Sequence, residues 1–295
     1  MKIKPLFIFT LLGFSFFSCD KKNTAVEETS NQSDIKTIKS LPSELKEISG
    51  IAYKDNLIYA IEDSGNENQI AILDSLGQIV KKITVNESTN TDWEDLTFDK
   101  KGNLYIGDFG NNDNERKDLA IYKIAHSDLQ NQEVKPEFKI TFYYPEQTEF
   151  PPKKKDLKFD VEAFFEYNNS FYLFTKNRSK DFDGSSFVYK IPNSEGNHKA
   201  ELINTITTCS DYDNCVITSA SINLDGSKFA VLSHSKVFIF ENNHQNNLTS
   251  GQHTALDLNH FSQKEAICFK NNNTLLIVDE KEKKEGGNLY EIKIE

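Results

Sequence analysis

The chain has 295 residues, of which 37% are hydrophobic and 27% charged, so it is long enough to bury a core as one large domain or two ordinary ones. Its 45 acidic and 34 basic residues give a net charge of −11, which argues against a nucleic-acid partner because such a partner needs a basic face. Aromatic residues reach 12%, with 22 Phe and 11 Tyr, and this composition favours strands over helical bundles.

The N-terminus carries a targeting signal. Lys2 and Lys4 begin a segment whose apolar run, Pro5–Ser18, is too short to span a bilayer and ends directly before Cys19. This pattern resembles a bacterial lipoprotein signal, which implies that residues 1–18 are removed and that Cys19 is lipidated. The resemblance implies a location in the bacterial cell envelope, anchored to a membrane on its periplasmic or cell-surface side. An ordinary secretory signal with an incidental cysteine is the alternative.

The next segment, residues 19–34, is polar and lacks aromatic side chains, so we predict a tether that precedes a folded domain over residues 35–295. Cys209 and Cys215 bracket a short loop, and a disulfide between them is plausible in an oxidising compartment. Cys268 lies in an apolar run and is expected to be a buried free thiol.

Five stretches of the chain share one pattern, in which a short apolar strand, a turn with Asn, Asp or Gly, a second apolar strand and a polar cluster follow one another. They begin at Glu47, Asp92, Asp160, Thr218 and Lys264. The turn residues tolerate positive φ, as tight hairpins require. One or two further strand-like runs follow each of the first four stretches. A unit of roughly four short strands that repeats along the chain is the signature of a β-propeller blade.

The sequence therefore predicts an all-β, five-bladed β-propeller. The last unit has room for only three strands, and we expect Ile35–Leu41 to supply its fourth strand and so to close the ring without free edges. The long spacing after the second unit is interpreted as a hairpin insertion around Pro145–Asp156, which is too polar and rich in proline to be another blade. A six-bladed ring is the alternative.

Propeller topology places candidate functional groups at one face. The first strand of each blade lines the central channel, and its start lies at the same face as the loop that follows the second strand. We call the first set of side chains the inner ring: Ser49, Glu94, Glu162, Ser219 and Glu265. We call the second set the outer ring: Glu62, Asp63, Asp108, Lys176, Arg178, His234, Asp279 and Glu280.

The inner ring predicts a metal site. Three glutamates at one channel mouth repel one another, so either their pKa values are raised or a cation neutralises them. Carboxylate and hydroxyl oxygens suit Ca²⁺ better than zinc, which prefers His and Cys. We expect the inner ring to bind Ca²⁺ and the outer ring to face a small-molecule or protein ligand. A structural role without a metal is the alternative for the inner ring.

The motifs EISGIA, DWEDLTF, DVEAFF, TSASI and KEAICF carry the inner ring, and their order resembles the five-bladed calcium-activated nucleotidases (apyrases). In TSASI, Ser221 is the other candidate beside Ser219. The resemblance implies a channel Ca²⁺ on these residues and a phosphate-contacting role for Arg178. The acidic loops EDSGNEN and GDFGNND are more similar to those of uncharacterised bacterial propeller lipoproteins.

The chain departs from the nucleotidases at the loop Gly107–Asn112 and lacks their acidic motif ahead of the first blade. We therefore expect a ligand- or partner-binding module of the envelope. A calcium-dependent phosphohydrolase that acts on nucleotides or other phosphate esters is the alternative. The sequence contains no G-x-S-x-G elbow and no P-loop motif, which argues against a serine hydrolase and a Walker-type NTPase.

Overall fold

The computed structural model describes residues 31–32, 35–241, 248 and 253–294. Five antiparallel sheets form the blades of a propeller, and the first strand of each blade lies at the channel. From the channel outward, the strands are Ile48–Lys54, Leu57–Glu62, Gln69–Leu73 and Ile79–Val85 in blade 1; Trp93–Phe98, Leu104–Asp108, Ala120–Ile124 and Phe138–Tyr143 in blade 2; Asp160–Glu166, Ser170–Lys176, Ser185–Pro192 and Glu201–Thr207 in blade 3; Ile217–Ile222, Lys228–Ser233, Lys236–Glu241 and His253–Asp257 in blade 4; and Lys264–Asn271, Thr274–Asp279, Asn288–Lys293 and Lys36–Ser40 in blade 5.

Helical structure is minor in the described residues. It consists of the helix Tyr212–Cys215 and the 3₁₀ segments Ser43–Leu45 and His126–Asp128. A search of the described residues for helices with the length and apolar character of a membrane span finds none. The five-bladed prediction is confirmed, and the six-bladed alternative is wrong because every full-sized sheet belongs to one of five blades.

The N-terminal strand closes the ring. Lys36–Ser40 pairs antiparallel with Asn288–Lys293, so the first and last strands of the described domain share blade 5. The inner strands neighbour one another in chain order, and Lys264–Asn271 packs beside Ile48–Lys54 to complete the circle. This matches the closure expected from Ile35–Leu41. Residues 1–30, which include the predicted signal peptide and Cys19, lie outside the described residues.

Three blades gain a short fifth strand at the outer edge, and each added strand runs parallel to its neighbour. Glu133–Val134 adds to blade 1, Gly196–Lys199 to blade 2 and Asn31–Gln32 to blade 4. The outermost backbone of a sheet presents unpaired N–H and C=O groups, and these additions cover them. Asn31–Gln32 lies within the segment predicted as a tether, so that segment pairs with blade 4 at its end. A separate small hairpin joins Lys281–Glu282 to Glu285–Gly286.

The core consists of apolar clusters between neighbouring blades, because each sheet buries both faces against the next. Trp93 is fully buried in the cluster between blades 1 and 2. The hairpin turns use the predicted residues, with positive φ at Asp55 and Asn56 in blade 1 and at Asn168 and Asn169 in blade 3.

One irregularity repeats in all five inner strands and positions the site. Near its start, each inner strand contains a β-bulge, at which the pairing with the second strand of the blade skips one residue. A bulged residue is left out of the ladder, and its side chain is re-aimed. The five bulged residues are Ser49, Glu94, Glu162, Thr218 and Glu265. We call the end of the channel that they surround the channel mouth.

Candidate functional site

Four of the five inner-ring residues occupy the bulge positions, but in blade 4 the bulged residue is Thr218 and not Ser219. Hydrogen bonds support this equivalence. Ser49 Oγ donates to the carbonyl of Trp93 at 2.7 Å, and Thr218 Oγ1 donates to the carbonyl of Lys264 at 2.7 Å. In both cases the acceptor is the residue before the bulge of the next blade. The two hydroxyls therefore tie neighbouring blades together at the channel mouth.

Ser219 lies one residue farther along the strand, where it is fully buried and donates to Asp95 Oδ2 at 3.1 Å. Asp95 is also fully buried, and Oδ1 accepts the backbone N–H of Leu96 at 2.9 Å. Burial raises the pKa of Asp95, although hydrogen bonds donated by Leu96, Ser219 and the backbone of Phe164 oppose the rise. Asp95 thus forms a second layer below the bulged residues. Its role was not predicted from the sequence, because it directly follows Glu94 and strand alternation directs the two side chains to opposite faces.

Glu162 is neutralised by cations from its own blade. Its Oε2 accepts from Lys176 Nζ at 3.1 Å and its Oε1 from Arg178 Nη2 at 2.6 Å. Arg178 also donates to Asp160 and to Asn112. Burial raises the pKa of Glu162, but the two cations outweigh burial and hold the pKa below its usual value. Of the three predicted glutamate ligands, Glu162 therefore has no need of a metal ion.

Glu94 has the opposite environment. It is 9% exposed and makes no hydrogen bond or salt bridge with the described part of the chain. Burial raises its pKa well above the usual value, and the charges of Glu162 and Asp92 raise it further. A Cβ atom at Gly110 would clash with Glu94 Oε1 and Asp92 Oδ2, so the glycine lets the backbone of this loop lie against both carboxylates.

Further carboxylates of blades 1 and 5 face the same mouth. Glu265 Oε1 lies 3.7 Å from His234 Nε2, while His234 Nδ1 bonds the carbonyl of Asp213 at 3.1 Å. Burial raises the pKa of Glu280 to about 8, and the charges of Glu265 and Asp63 add to this rise. Burial likewise raises the pKa of Asp63 to about 7, with Glu47 and Asp92 as the next causes. The mouth is acidic on this side.

Two outer-ring residues, Asp108 and Asp279, make hydrogen bonds within their own blades and do not face the channel mouth. Asp108 is buried and accepts from Arg116 Nη2 at 3.0 Å, a partner that the sequence analysis did not identify. Asp279 is fully buried and accepts from the backbone N–H of Asn288 and the hydroxyl of Tyr290, both at 2.7 Å. Both lie at the same register position, opposite the residue before the bulge, where the side chain is directed into the blade.

The loop after blade 3 borders the basic part of the mouth. Cys209 and Cys215 form a disulfide there, and Cys268 is a buried free cysteine in blade 5. Tyr212, inside the disulfide loop, packs edge to face on Phe182 with ring centroids 5.1 Å apart. The disulfide loop therefore supports the segment that follows Arg178.

The raised pKa values predict that the folded protein loses stability as the pH rises. A group whose pKa is higher in the folded state stabilises the fold while protonated, and this contribution is lost as the pH rises from the unfolded pKa, about 4 for carboxyl groups, through the folded one. For Asp63 and Glu280 the folded values are about 7 and about 8. We expect the melting temperature in EDTA to fall by several degrees between pH 5 and pH 8, measured by scanning calorimetry.

The control for this prediction is the double variant Asp63→Asn, Glu280→Gln, in which the pH dependence should be flatter. Glu162 does not obscure the result, because its pKa is lowered and its contribution changes only below this pH window. A double variant with the same slope as the original protein would show that these two carboxyl groups do not titrate as described.

Comparison with known proteins adds a fold likeness only. No family model matches the chain, and no curated protein matches it. Among solved structures, it is similar to a chain of the nidogen/laminin complex, with 11% identity, a TM-score of 0.44, and coverage of 79% of this chain and 72% of that one. It is also similar to the β-propeller domain of Cps50 (Swd1) from Myceliophteria thermophila, with 9% identity, a TM-score of 0.45, and coverage of 88% and 100%.

Proposed function

We propose that this protein is a ligand-binding module of the cell envelope whose channel mouth binds a cationic group, with Ca²⁺ as the first candidate. The observation that carries the proposal is Glu94, a carboxylate that is 9% exposed and makes no hydrogen bond or salt bridge with the described residues. A buried charge without a partner is costly, and a bound cation removes that cost.

The charge of the mouth supports a cation over an anion. Glu94, Glu265, Glu280 and Asp63 face it without a lysine or arginine in salt-bridge contact among the described residues. The cations Lys176 and Arg178 are already in contact with Glu162. The remaining excess of carboxylates attracts positive charge.

The five-residue calcium ring expected from the sequence does not fit this geometry. Glu162 already binds two cations, and Ser219 lies in the layer below. No group of three or more His, Cys, Asp or Glu side chains in the described ranges is arranged to hold a metal ion as it stands. The proposal is therefore a smaller set, Glu94, Glu265 and Glu280, whose carboxylate oxygens suit Ca²⁺ and which a cation would draw together.

The envelope location and the membrane anchor are part of the same proposal. They are supported by the N-terminal signal pattern and by Cys19, which the described residues do not include. A lipid at Cys19 would hold the propeller at a membrane surface and leave the channel mouth available to a small-molecule or protein ligand.

Calcium is expected to stabilise the protein through Glu94. Because a ligand that binds only the folded state raises stability, saturating Ca²⁺ should raise the melting temperature above that in EDTA, and by more than Zn²⁺ does. Glu94→Gln should raise the melting temperature in EDTA at pH 8, since it removes an unpartnered charge, and should strongly reduce the response to Ca²⁺. Scanning calorimetry and titration calorimetry measure both effects.

The matched control is Glu195→Gln, which removes an exposed glutamate of blade 3 and should leave the calcium response unchanged. If the EDTA and Ca²⁺ forms melt together at neutral pH, and no heat of binding is found, the proposal is refuted.

The phosphohydrolase alternative stays a prediction. The contacts of Arg178 count against it, because its guanidinium already donates to Asp160, Glu162 and Asn112. A phosphate group would have to compete with two carboxylates for this side chain. A binding module requires no such rearrangement, and for that reason we favour it.

A further inference from the structure

Lys176 lies at the centre of the carboxylates of the channel mouth. It ends the second strand of blade 3, is 8% exposed and donates from Nζ to Glu162 Oε2 at 3.1 Å. Its charge also acts on three further carboxylates. Glu94 comes from blade 2, Glu265 comes from the inner strand of blade 5, and Glu280 follows the second strand of blade 5. One ammonium group therefore faces acidic side chains from three blades.

No other blade places a lysine or arginine at this position. In blade 3 the residue before the bulge pairs with Thr175, so Lys176 lies one residue beyond that pair. By the same register, the matching residues of the other blades are Asp63, Phe109, His234 and Glu280. Within blade 3, Arg178 contacts both Asp160 and Glu162, but its single positive charge balances only one of these two carboxylates. Lys176 supplies the second positive charge and in addition acts on carboxylates of the neighbouring blades.

The Lys176 ammonium has more hydrogen-bond donors than acceptors nearby. An ammonium group carries three N–H donors, and only one of them has an acceptor among the described residues. The group nevertheless remains charged, because Glu162 and Glu265 raise its pKa against the opposing effect of burial. Two donors of a buried, charged ammonium are left to face the mouth that Glu94, Glu265 and Glu280 share.

We infer that the Lys176 ammonium is a tethered cation that occupies part of the channel mouth and weakens the binding of divalent cations there. A fixed positive charge a few ångströms from a site repels an incoming Ca²⁺ strongly when the site is shielded from water. Because the ammonium is part of the chain, it competes at every concentration of ligand. The inference rests on the proposed cation site and names a residue that lowers the affinity of that site for divalent cations.

The test is the calcium affinity of Lys176→Met, which keeps an unbranched side chain of nearly the same length and removes its charge. We expect its dissociation constant for Ca²⁺, measured by titration calorimetry, to be at least about tenfold lower than that of the original protein. Lys176→Arg keeps the charge and should not gain affinity. Lys123→Met, which removes a lysine paired with Glu137 in blade 2, controls for the change in net charge.

The outcomes separate this inference from the proposed function. If the original protein does not bind Ca²⁺ and Lys176→Met does, the proposed function fails for calcium while the inference stands. If the original protein binds Ca²⁺ and Lys176→Met binds it no more tightly, or no better than Lys123→Met, the inference is overturned. The absence of binding in both proteins overturns both. Should Lys176→Met not fold, Lys176→Gln decides the same question, because its amide can still donate to Glu162.

Discussion

A chain that begins at Ser43 is expected to unfold far more easily than the complete one. It lacks Lys36–Ser40, and with that strand the antiparallel pairing to Asn288–Lys293. It also lacks Leu41, whose backbone N–H donates to the carbonyl of Gly287 at 2.7 Å. The first and last strands of the ring would no longer be joined. The strand Asn288–Lys293 would become an exposed edge, which is a template for aggregation.

The size of this effect follows from the side chains that are removed. Ile35 packs on the cluster between blades 4 and 5, and Ile38 and Leu41 pack on the cluster between blades 5 and 1. Each is half buried, so the three side chains contribute roughly 3 kcal/mol by burial, to which the lost pairing of the backbone adds. Urea denaturation followed by circular dichroism should show a clearly lower midpoint.

The matched control begins at Ile35, which keeps the closing strand and removes everything before it. Its midpoint should stay close to that of the complete chain, apart from the small contribution of Asn31–Gln32 to blade 4. Equal midpoints for the chains that begin at Ser43 and at Ile35 would show that ring closure by this strand does not stabilise the domain.

The blades and their closure could be predicted from the sequence because hairpins are local. In each unit the two inner strands are joined by a tight turn, and residues such as Asn56 and Asn168 adopt the positive φ that such turns need. The closing strand followed from counting strands in the last unit. In contrast, two short parallel strands pair outside the blade that the surrounding chain forms. Glu133–Val134 lies between strands of blade 2 but pairs with blade 1, and Gly196–Lys199 lies between strands of blade 3 but pairs with blade 2. No alternation of apolar residues marks either strand.

The candidate site was only partly predictable, and the bulge is the reason. Strand alternation assigns faces with a period of two, but one extra residue shifts the period. In blade 4, Thr218, Ser219 and Ser221 all carry hydroxyls, so composition could not show that Thr218 is the bulged residue. The pairing of Glu162 with Lys176 likewise depends on the register between two strands.

The second large effect is expected at Asp95. Asp95→Asn should lower the free energy of unfolding by about 3 kcal/mol, although the two side chains have nearly the same shape. The carboxylate accepts hydrogen bonds from the backbone of Leu96 at 2.9 Å, from Ser219 Oγ at 3.1 Å and from the backbone of Phe164 at 3.4 Å. An asparagine amide keeps only one of the two carboxylate oxygens and has an NH₂ group in place of the other. At least one of these buried donors would then face an N–H group.

Ser219 already accepts the backbone N–H of Ile267 at 3.2 Å, and if it turned to accept from the amide as well, its own hydroxyl hydrogen would lose the acceptor that Asp95 provides. Each buried polar group that loses its partner costs about 1–3 kcal/mol, and in either orientation of the amide its N–H and at least one buried donor would face each other without an acceptor. Urea denaturation at neutral pH measures the difference.

Glu94→Gln is the matched comparison, since it makes the same chemical change one residue earlier in the same strand. Glu94 accepts no hydrogen bond from the described residues and is surrounded by like charges, so its substitution should leave stability unchanged or raise it. Two adjacent acids of one strand should therefore respond in opposite directions. If Asp95→Asn is as stable as the original protein, Asp95 does not hold the second layer of the channel together through these hydrogen bonds.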